Sequence, residues 1–255
     1  MHFRLWMAWC LALPLCAPGT VAAAGIFDEP KNLKVLPADI SPQELRKTMR
    51  GFAFDLGVNC ENCHVGEAGQ PLENFDFAAD DKDMKATARL MLRMLAEIND
   101  RQLAALDRAP DERVAVRCAT CHRGQPKPLL IVDALNLAYR EGGTPATVAR
   151  YRTLKADFFG SDSFDFTEQP RLEFARGLAA RADVDGGIAF LHELRGEHGA
   201  SFMTDLMLAD LYLASGRREH AIASLKAAHS SAPSALQAVI LKRLEGLEAT
   251  AETGN

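Results

Sequence analysis

The chain has 255 residues, 48% of them hydrophobic and 25% charged, and this composition excludes an intrinsically disordered, collagen-like or coiled-coil protein. Its formal net charge is −5 and no basic block occurs in it, which gives nucleic-acid binding no electrostatic support. The length allows one large domain or two small ones. Helical periodicity recurs along the chain and alternating strand patterns do not, so an all-α fold is predicted.

Residues 1–24 have the features of a secretory signal peptide. Their one charged side chain, Arg4, is followed by an apolar run over residues 5–16 and then by three alanines that end at Ala24. The apolar run is too short for a comfortable membrane span, so cleavage near Gly25 and a periplasmic location are predicted. An uncleaved leader is the alternative, and membrane association is expected only through that leader or through partners.

The four cysteines after the leader fall into two copies of one pentapeptide. These copies are Cys60-Glu61-Asn62-Cys63-His64 and Cys118-Ala119-Thr120-Cys121-His122. Two thiols at this spacing each add across one vinyl group of a haem, and the adjacent histidine ligates the iron from the proximal side. The pattern therefore predicts two covalently attached c-type haems with His64 and His122 as iron ligands. Export agrees with this prediction, because exported proteins are where such haems are attached.

Three other roles of paired cysteines explain the pattern less well. A disulfide within each motif suits an exported chain but does not require the histidines. A thioredoxin-like dithiol needs a βαβ context that is absent from the sequence. A zinc site shared by both pairs would have to bridge 54 intervening residues, where zinc ribbons usually place far fewer. Covalent haem attachment is the favoured interpretation.

A helix is predicted just before the first motif. Ser41-Pro42-Gln43-Glu44 is a capping box with proline at the first helical position, and Gly57 provides the stop. Met49 belongs to an apolar stripe at helical spacing, formed by Leu45, Met49, Phe52 and Leu56. Because methionine is the favoured sixth ligand in electron carriers, Met49 is predicted to face the first iron opposite His64. The alternative is that Met49 only packs in a core.

A second helix of the same kind is predicted before the second motif, capped by Asp80 or Asp81 and running to about residue 100. Its apolar stripe consists of Met84, Ala88, Met91, Leu95 and Ile98. Met94 lies beside this stripe, so periodicity alone favours Met91 as the second distal ligand without excluding Met94. An open or different sixth position is the remaining alternative.

Several runs over residues 30–128 resemble the tetrahaem cytochrome c subunit of photosynthetic reaction centres. They are Asn32-Leu33-Lys34-Val35-Leu36-Pro37, Leu56-Gly57-Val58-Asn59-Cys60, Ala88-Arg89-Leu90-Met91-Leu92-Arg93-Met94 and Cys118-Ala119-Thr120-Cys121-His122-Arg123-Gly124. In that family a helix before each attachment motif supplies the distal methionine. The resemblance therefore implies that Met49 partners His64 and that Met91 partners His122. With two motifs, the chain resembles one half of the tetrahaem repeat.

The C-terminal part repeats itself at an offset of 34 residues, as helical hairpins of the tetratricopeptide type do. The offset superimposes Ala175 on Ala209 and Gly187 on Ala221. Within each unit these small residues are twelve apart, and the two antiparallel helices of the unit are expected to touch closely there. The pattern resembles the tetratricopeptide repeat, which usually offers a concave surface to a protein partner.

Three segments are predicted from these patterns. Residues 1–24 are predicted to be the signal peptide, residues 25–128 a dihaem cytochrome c domain, and residues 129–255 a tetratricopeptide-like repeat domain. Within the last segment, Gly142-Gly143 is predicted to divide a first pair of helices, with Thr144-Pro145 opening the second of them.

The expected function is one-electron transfer between periplasmic or membrane redox partners, with the repeats docking a partner. A covalently fixed haem with histidine and methionine ligands changes little on reduction, which suits a relay rather than an enzyme. One alternative is a peroxidase-like haem enzyme with one open iron site. The other is an interaction module in which the haems sense redox state while the repeats recruit a partner.

Overall fold

The structure is a computed structural model that describes residues 25–199 and 201–252, so the predicted leader lies outside the described residues. Ten α-helices occur within these ranges: α1 (Pro42–Leu56), α2 (Cys60–Cys63), α3 (Asp83–Ala96), α4 (Cys118–His122), α5 (Ile131–Phe158), α6 (Glu168–Ala180), α7 (Val184–His198), α8 (Phe202–Ala214), α9 (Arg218–Ser231) and α10 (Ser234–Glu252). Extended pairing within them is limited to one isolated antiparallel bridge between Val65 and Asp76. The predicted all-α fold is confirmed.

No helix in the described ranges combines the length and the apolar character that a membrane span requires. The described chain divides into two compact units. One comprises the residues up to Arg50 together with Cys60–Arg93, and the other comprises Gly51–Asn59 and the residues from Met94 onward. The domain boundary at residue 128 stays a prediction.

Helix α1 begins and ends where the sequence predicts. The Ser41 hydroxyl accepts a hydrogen bond from the Glu44 amide (3.2 Å), and the Glu44 carboxylate accepts one from the Ser41 amide (3.4 Å), which is the predicted capping box. At the other end Gly57 has a φ of +62° and follows the last helical residue. A left-handed glycine directly after a helix stops it at low cost, so the predicted stop is confirmed.

The first unit is held by a polar network around Asp80. Its carboxylate accepts hydrogen bonds from Lys34 Nζ (2.6 Å), Asn32 Nδ2 (2.9 Å) and an Arg89 guanidinium nitrogen (2.8 Å), and Lys85 Nζ lies 3.2 Å away. These donors hold the pKa of Asp80 well below its usual range. The carboxylate thus ties the segment around Asn32 to α3.

The predicted cap of α3 is wrong. Helix α3 begins at Asp83, and Lys82, not Asp80 or Asp81, directly precedes it. The carboxylate of Asp80 is occupied by cations instead, because charge-assisted hydrogen bonds to several cations outweigh one bond to a backbone amide.

Helices α5 to α10 form antiparallel neighbours around a core of their own side chains. Tyr151, Phe174 and Phe190 are fully buried there, with the Phe174 and Phe190 rings 4.7 Å apart in an edge-to-face arrangement. Helix α5 is interrupted at Gly142 and Gly143, whose backbone angles are not helical, which confirms the predicted division.

The small residues predicted at the hairpin contacts are buried. Ala175, Ala209 and Ala221 have no exposed surface. A Cβ atom on Gly187 would lie 2.9 Å from the Ala175 carbonyl oxygen, so α6 and α7 approach closely at the predicted pair. A side chain larger than hydrogen would force this pair of helices apart.

Candidate haem-attachment sites

The first motif lies on α2, a single helical turn. The His64 amide donates to the Cys60 carbonyl (2.9 Å), which continues the turn through the histidine. Lys82 Nζ donates to the Glu61 carbonyl (3.0 Å) and ties the turn to the segment before α3. The sequence predicted that these two cysteines and this histidine form an attachment motif. The turn keeps their three side chains on one short element.

The imidazole of His64 lies in an aromatic pocket. The Phe77 ring meets it edge to face at 4.9 Å, and the Phe75 ring stacks on Phe77 at 5.6 Å. Burial lowers the pKa of His64, and the nearby Lys85 lowers it further. The ring is therefore held in the neutral form, which is the form that ligates a metal. Its Nδ1 is buried and has no hydrogen-bond partner among the described residues.

The second motif lies on α4, and residues of the motif itself shape that turn. The Thr120 hydroxyl accepts a hydrogen bond from the Arg117 amide (3.0 Å), which caps the turn at its start. At its end Arg123 has a φ of +49° and Gly124 a φ of +77°. Two successive left-handed residues turn the chain sharply away after His122.

His122 is oriented by the turn that comes after it. Its Nδ1 lies 2.8 Å from the Gln125 carbonyl oxygen, an arrangement in which Nδ1–H donates and Nε2 is left to bind iron. Gln125 is itself buried, and its side-chain amide donates to the Ser163 carbonyl (2.9 Å). The Ser163 hydroxyl donates in return to the Arg123 carbonyl (2.7 Å). A residue between α5 and α6 thus fixes the turn that holds the predicted ligand.

The backbone just before the second motif is held by the side chain of Asn99. Asn99 lies in a π-helical turn, Glu97–Leu103, which comes directly after α3. Its side-chain amide donates to the Val116 carbonyl (2.8 Å), and its amide oxygen accepts from the Val116 amide (2.8 Å). Through these two bonds the Asn99 side chain pairs with the backbone of Val116. The backbone is thereby held two residues before Cys118.

The end of α1 is bonded to the turn after α4. The Gly124 amide donates to the Asp55 carbonyl (2.9 Å). A Cβ on Gly57 would lie 2.1 Å from the Gly124 carbonyl oxygen, so no larger residue fits at that position. Asp55 is also close enough to Cys118 to raise the pKa of its thiol.

Two of the four thiols are shifted toward their protonated form. Burial raises the pKa of Cys63 and Cys118, with smaller increases from Cys60 and Asp55 respectively. A raised pKa disfavours the thiolate, which is the form used by zinc sites and redox dithiols. All four cysteines of the described chain are free, and within that part of the chain no group of three or more histidine, cysteine or acidic side chains is arranged to hold a metal ion.

The methionines lie on the helices that the sequence predicted. Met49 is half-buried on α1, and Met91 is half-buried on α3. Met94, the alternative to Met91, is 47% exposed. Their roles as distal ligands stay predictions.

The distribution of buried side chains suits the binding of a large apolar group. Among the described residues before Ile131, Leu45 is the one buried hydrophobic side chain. Helices α1 and α3 nevertheless both carry apolar stripes. Stripes that are not covered by a side-chain core suit the faces of a macrocycle, because burying them there is favourable. The thiols, the imidazoles and the methionines are the donor set that a c-type haem requires.

Comparison with known proteins agrees with this arrangement. The family described as photosynthetic reaction centre cytochrome C subunit matches residues 12–153, which is more than half of the chain. The chain belongs to this family. The photosynthetic reaction center cytochrome c subunit of Roseobacter denitrificans is 30% identical over 138 residues, a match that covers 47% of this chain and 36% of that relative. The chain therefore spans well under two thirds of the length of this relative.

Membership in the reaction centre cytochrome family implies covalently bound c-type haem. The family match ends at Thr153, inside α5, so helices α6 to α10 lie outside it. The residues that reasoning from sequence missed are Asn99, Gln125 and Ser163, which support the second motif. Each is an ordinary polar residue whose partner lies far away or in an irregular segment, and no local pattern marks it.

Proposed function

We propose that this reaction centre cytochrome family member is an exported dihaem cytochrome c that transfers single electrons between periplasmic or membrane redox partners. The observation that carries the proposal is the occurrence of two Cys-x-x-Cys-His motifs, each on a short helical turn, in a region whose helices have apolar stripes and almost no side-chain core. When bound, a c-type haem supplies an iron centre that gains or loses one electron.

Each residue has one role in this proposal. Cys60 and Cys63 hold the first group and Cys118 and Cys121 the second, through thioether bonds formed by adding each S–H across a vinyl group. His64 and His122 bind the irons on the proximal side, and Met49 and Met91 bind them on the distal side. The hydrogen bond from His122 Nδ1 to Gln125 supports this assignment, because it fixes the ring and leaves Nε2 to the metal.

The remainder of the proposal concerns location and partners. The leader over residues 1–24 directs export, and its removal leaves a periplasmic protein. The helical hairpins of residues 129–255 act as a tetratricopeptide-like surface for a redox partner. The buried pair Ala175 and Gly187, at the spacing that such repeats use, supports this interpretation of the hairpins.

Attachment is tested with cysteine variants. We expect the exported protein to exceed its polypeptide mass by two haem groups. The variant Cys60→Ser/Cys63→Ser and its matched counterpart Cys118→Ser/Cys121→Ser should each lose one group. A colourless wild-type protein, or one with the mass of the bare polypeptide, would contradict the proposal.

The distal ligands are tested by absorption spectroscopy of the oxidised protein. A thioether-to-ferric-iron band is expected, and it should weaken in Met49→Ala and in Met91→Ala but persist in Met94→Ala. A wild-type spectrum in the first two variants would disprove the assignment. A wild-type protein with one high-spin iron that reacts with peroxide would instead favour the haem-enzyme alternative.

A further inference from the structure

A cavity of about 180 Å³ lies in the hairpin region and shares no lining residue with either motif. The start of α6, the end of α7 and the start of α8 line it, and it is partly open to solvent. Its walls include the side chains of Glu168, Arg171, Leu191, Leu194, Arg195 and Thr204. The proposed electron transfer does not use this group of charged side chains.

Arg171 is the unusual residue of the cavity. It is 8% exposed, and its Nε is buried without a hydrogen-bond partner. Its guanidinium also takes part in none of the ion pairs of the described residues. A buried arginine keeps its charge, so a buried Nε–H without an acceptor is unfavourable. The structure therefore offers a cation in a cavity with no acceptor of its own.

The other charged side chains of the cavity have partners on the protein. Arg195 forms an ion pair with the buried Asp205 (2.8 Å). Glu168 accepts hydrogen bonds from the hydroxyls of Ser201 (2.8 Å) and Thr204. Glu168 also lies in the first turn of α6, where the helix dipole favours a negative charge. The donors of Arg171 are left for a ligand.

We propose that this cavity binds a monoanionic carboxylate that carries a short apolar body. The planar guanidinium of Arg171 matches the two oxygens of a carboxylate. Leu191 and Leu194, both buried, give the apolar body a wall. Glu168 on the same wall repels a second negative charge, which disfavours phosphate.

Two sources supply this chemistry: a free small carboxylic acid, and the C-terminal carboxylate of a partner protein chain. Both present a carboxylate with an apolar neighbour, and they differ in the length of the molecule beyond that neighbour. A free acid ends within the cavity, whereas a chain terminus continues outward through a peptide bond. Butyrate and a short peptide represent the two sources.

The test is a calorimetric titration of the full-length, haem-loaded protein at pH 7. The probes are sodium butyrate, inorganic phosphate, and a pentapeptide ending in leucine with either a free or an amidated C-terminus. Saturable binding of butyrate, with phosphate at least tenfold weaker, is the expected result. Tighter binding of the free peptide, lost on amidation, supports the chain terminus as the source, and binding of butyrate alone supports the free acid.

The variants make the test specific to Arg171. Arg171→Met should weaken butyrate binding at least tenfold and should not lower the unfolding midpoint measured without ligand, because it removes an unpaired buried charge. Arg176→Met removes an exposed charge from the same helix and should bind as the wild type does. If Arg171→Met does not fold, Arg171→Lys keeps the charge without the planar fork and should still weaken binding. Equal binding by the wild type and the Arg171 variants, preference for phosphate, or no binding of any probe would each overturn the proposal.

Discussion

The backbone amide of Gly124 donates a hydrogen bond to the carbonyl oxygen of Asp55. This bond joins the turn that orients His122 to the end of the helix that carries Met49. Gly57 makes the approach possible, since its missing side chain leaves room for the Gly124 carbonyl. Two segments far apart in sequence therefore share one rigid contact, and the contact depends on a single glycine.

Replacing Gly57 should destabilise the protein strongly. In Gly57→Ala the new Cβ lies 2.1 Å from the Gly124 oxygen, and the residue must keep a φ of +62°. We expect the free energy of unfolding to fall by about 2 kcal/mol or more. Gly51→Ala, on the helix that Gly57 ends, is the control, because nothing lies within 4 Å of its new Cβ. It should raise the free energy of unfolding by about 0.5–1 kcal/mol in chemical denaturation. Similar effects of the two substitutions would contradict the predicted role of the contact.

Gln125 should affect both stability and the proposed second haem. Gln125→Met removes the donor to the Ser163 carbonyl and leaves that buried oxygen unpaired, which should cost about 1–3 kcal/mol. The Gln125 carbonyl that holds His122 remains, but its turn loses an anchor, so the reduction potential of the proposed second haem should shift. Gln43→Met, an exposed glutamine on α1, serves as control. If a redox titration gives unchanged potentials for Gln125→Met, the turn does not position the ligand.

Asp80 should contribute stability that depends on pH. Its pKa in the folded protein lies below the value of about 3.9 that an unfolded aspartate has, so its contribution is present above that pH and is lost as the pH falls toward the folded value. Asp80→Asn should therefore lower the unfolding midpoint at pH 7, and the difference from the wild type should shrink below about pH 4. Asp81→Asn, which removes the charge of the exposed neighbouring aspartate, is the control. A difference between Asp80→Asn and the wild type that is constant with pH would rule out this origin.

Helices α6 and α7 should tolerate no added methyl group at their closest approach. Gly187→Ala places a Cβ 2.9 Å from the Ala175 carbonyl, and the resulting overpacking should lower the free energy of unfolding by about 1–3 kcal/mol. Gly177→Ala lies on α6 with open space around its Cβ and should be neutral or stabilising. Thermal unfolding of the two variants compares them directly, and equal midpoints would show that the helices separate without cost.

Sequence reasoning succeeded where a local pattern dictates structure. The capping box at Ser41, the stop at Gly57 and the division at Gly142 depend on a few neighbouring residues, and each lies where the sequence predicted. The close approach at Gly187 was also predictable, because an internal repeat marks the positions where paired helices touch.

It failed where one side chain chooses among distant partners. Asp80 looked like a helix cap in sequence, but the cations that bind it include Lys34, which is 46 residues away. Asn99 and Gln125 carry no local signal, since their partners lie in irregular backbone. The buried charge of Arg171 also became visible only once the surrounding helices were placed. Such choices are set by tertiary geometry, which periodicity does not encode.

The uneven distribution of buried residues has a consequence for biogenesis. The hairpin region builds its interior from its own leucines and aromatic rings, so its folding needs no prosthetic group. Among the described residues, the segments that carry the proposed attachment motifs lack such an interior, so under the proposed function they complete their packing only when haem is bound. Protease resistance should therefore develop first in the C-terminal half of the newly made chain, and in the N-terminal half only after haem attachment.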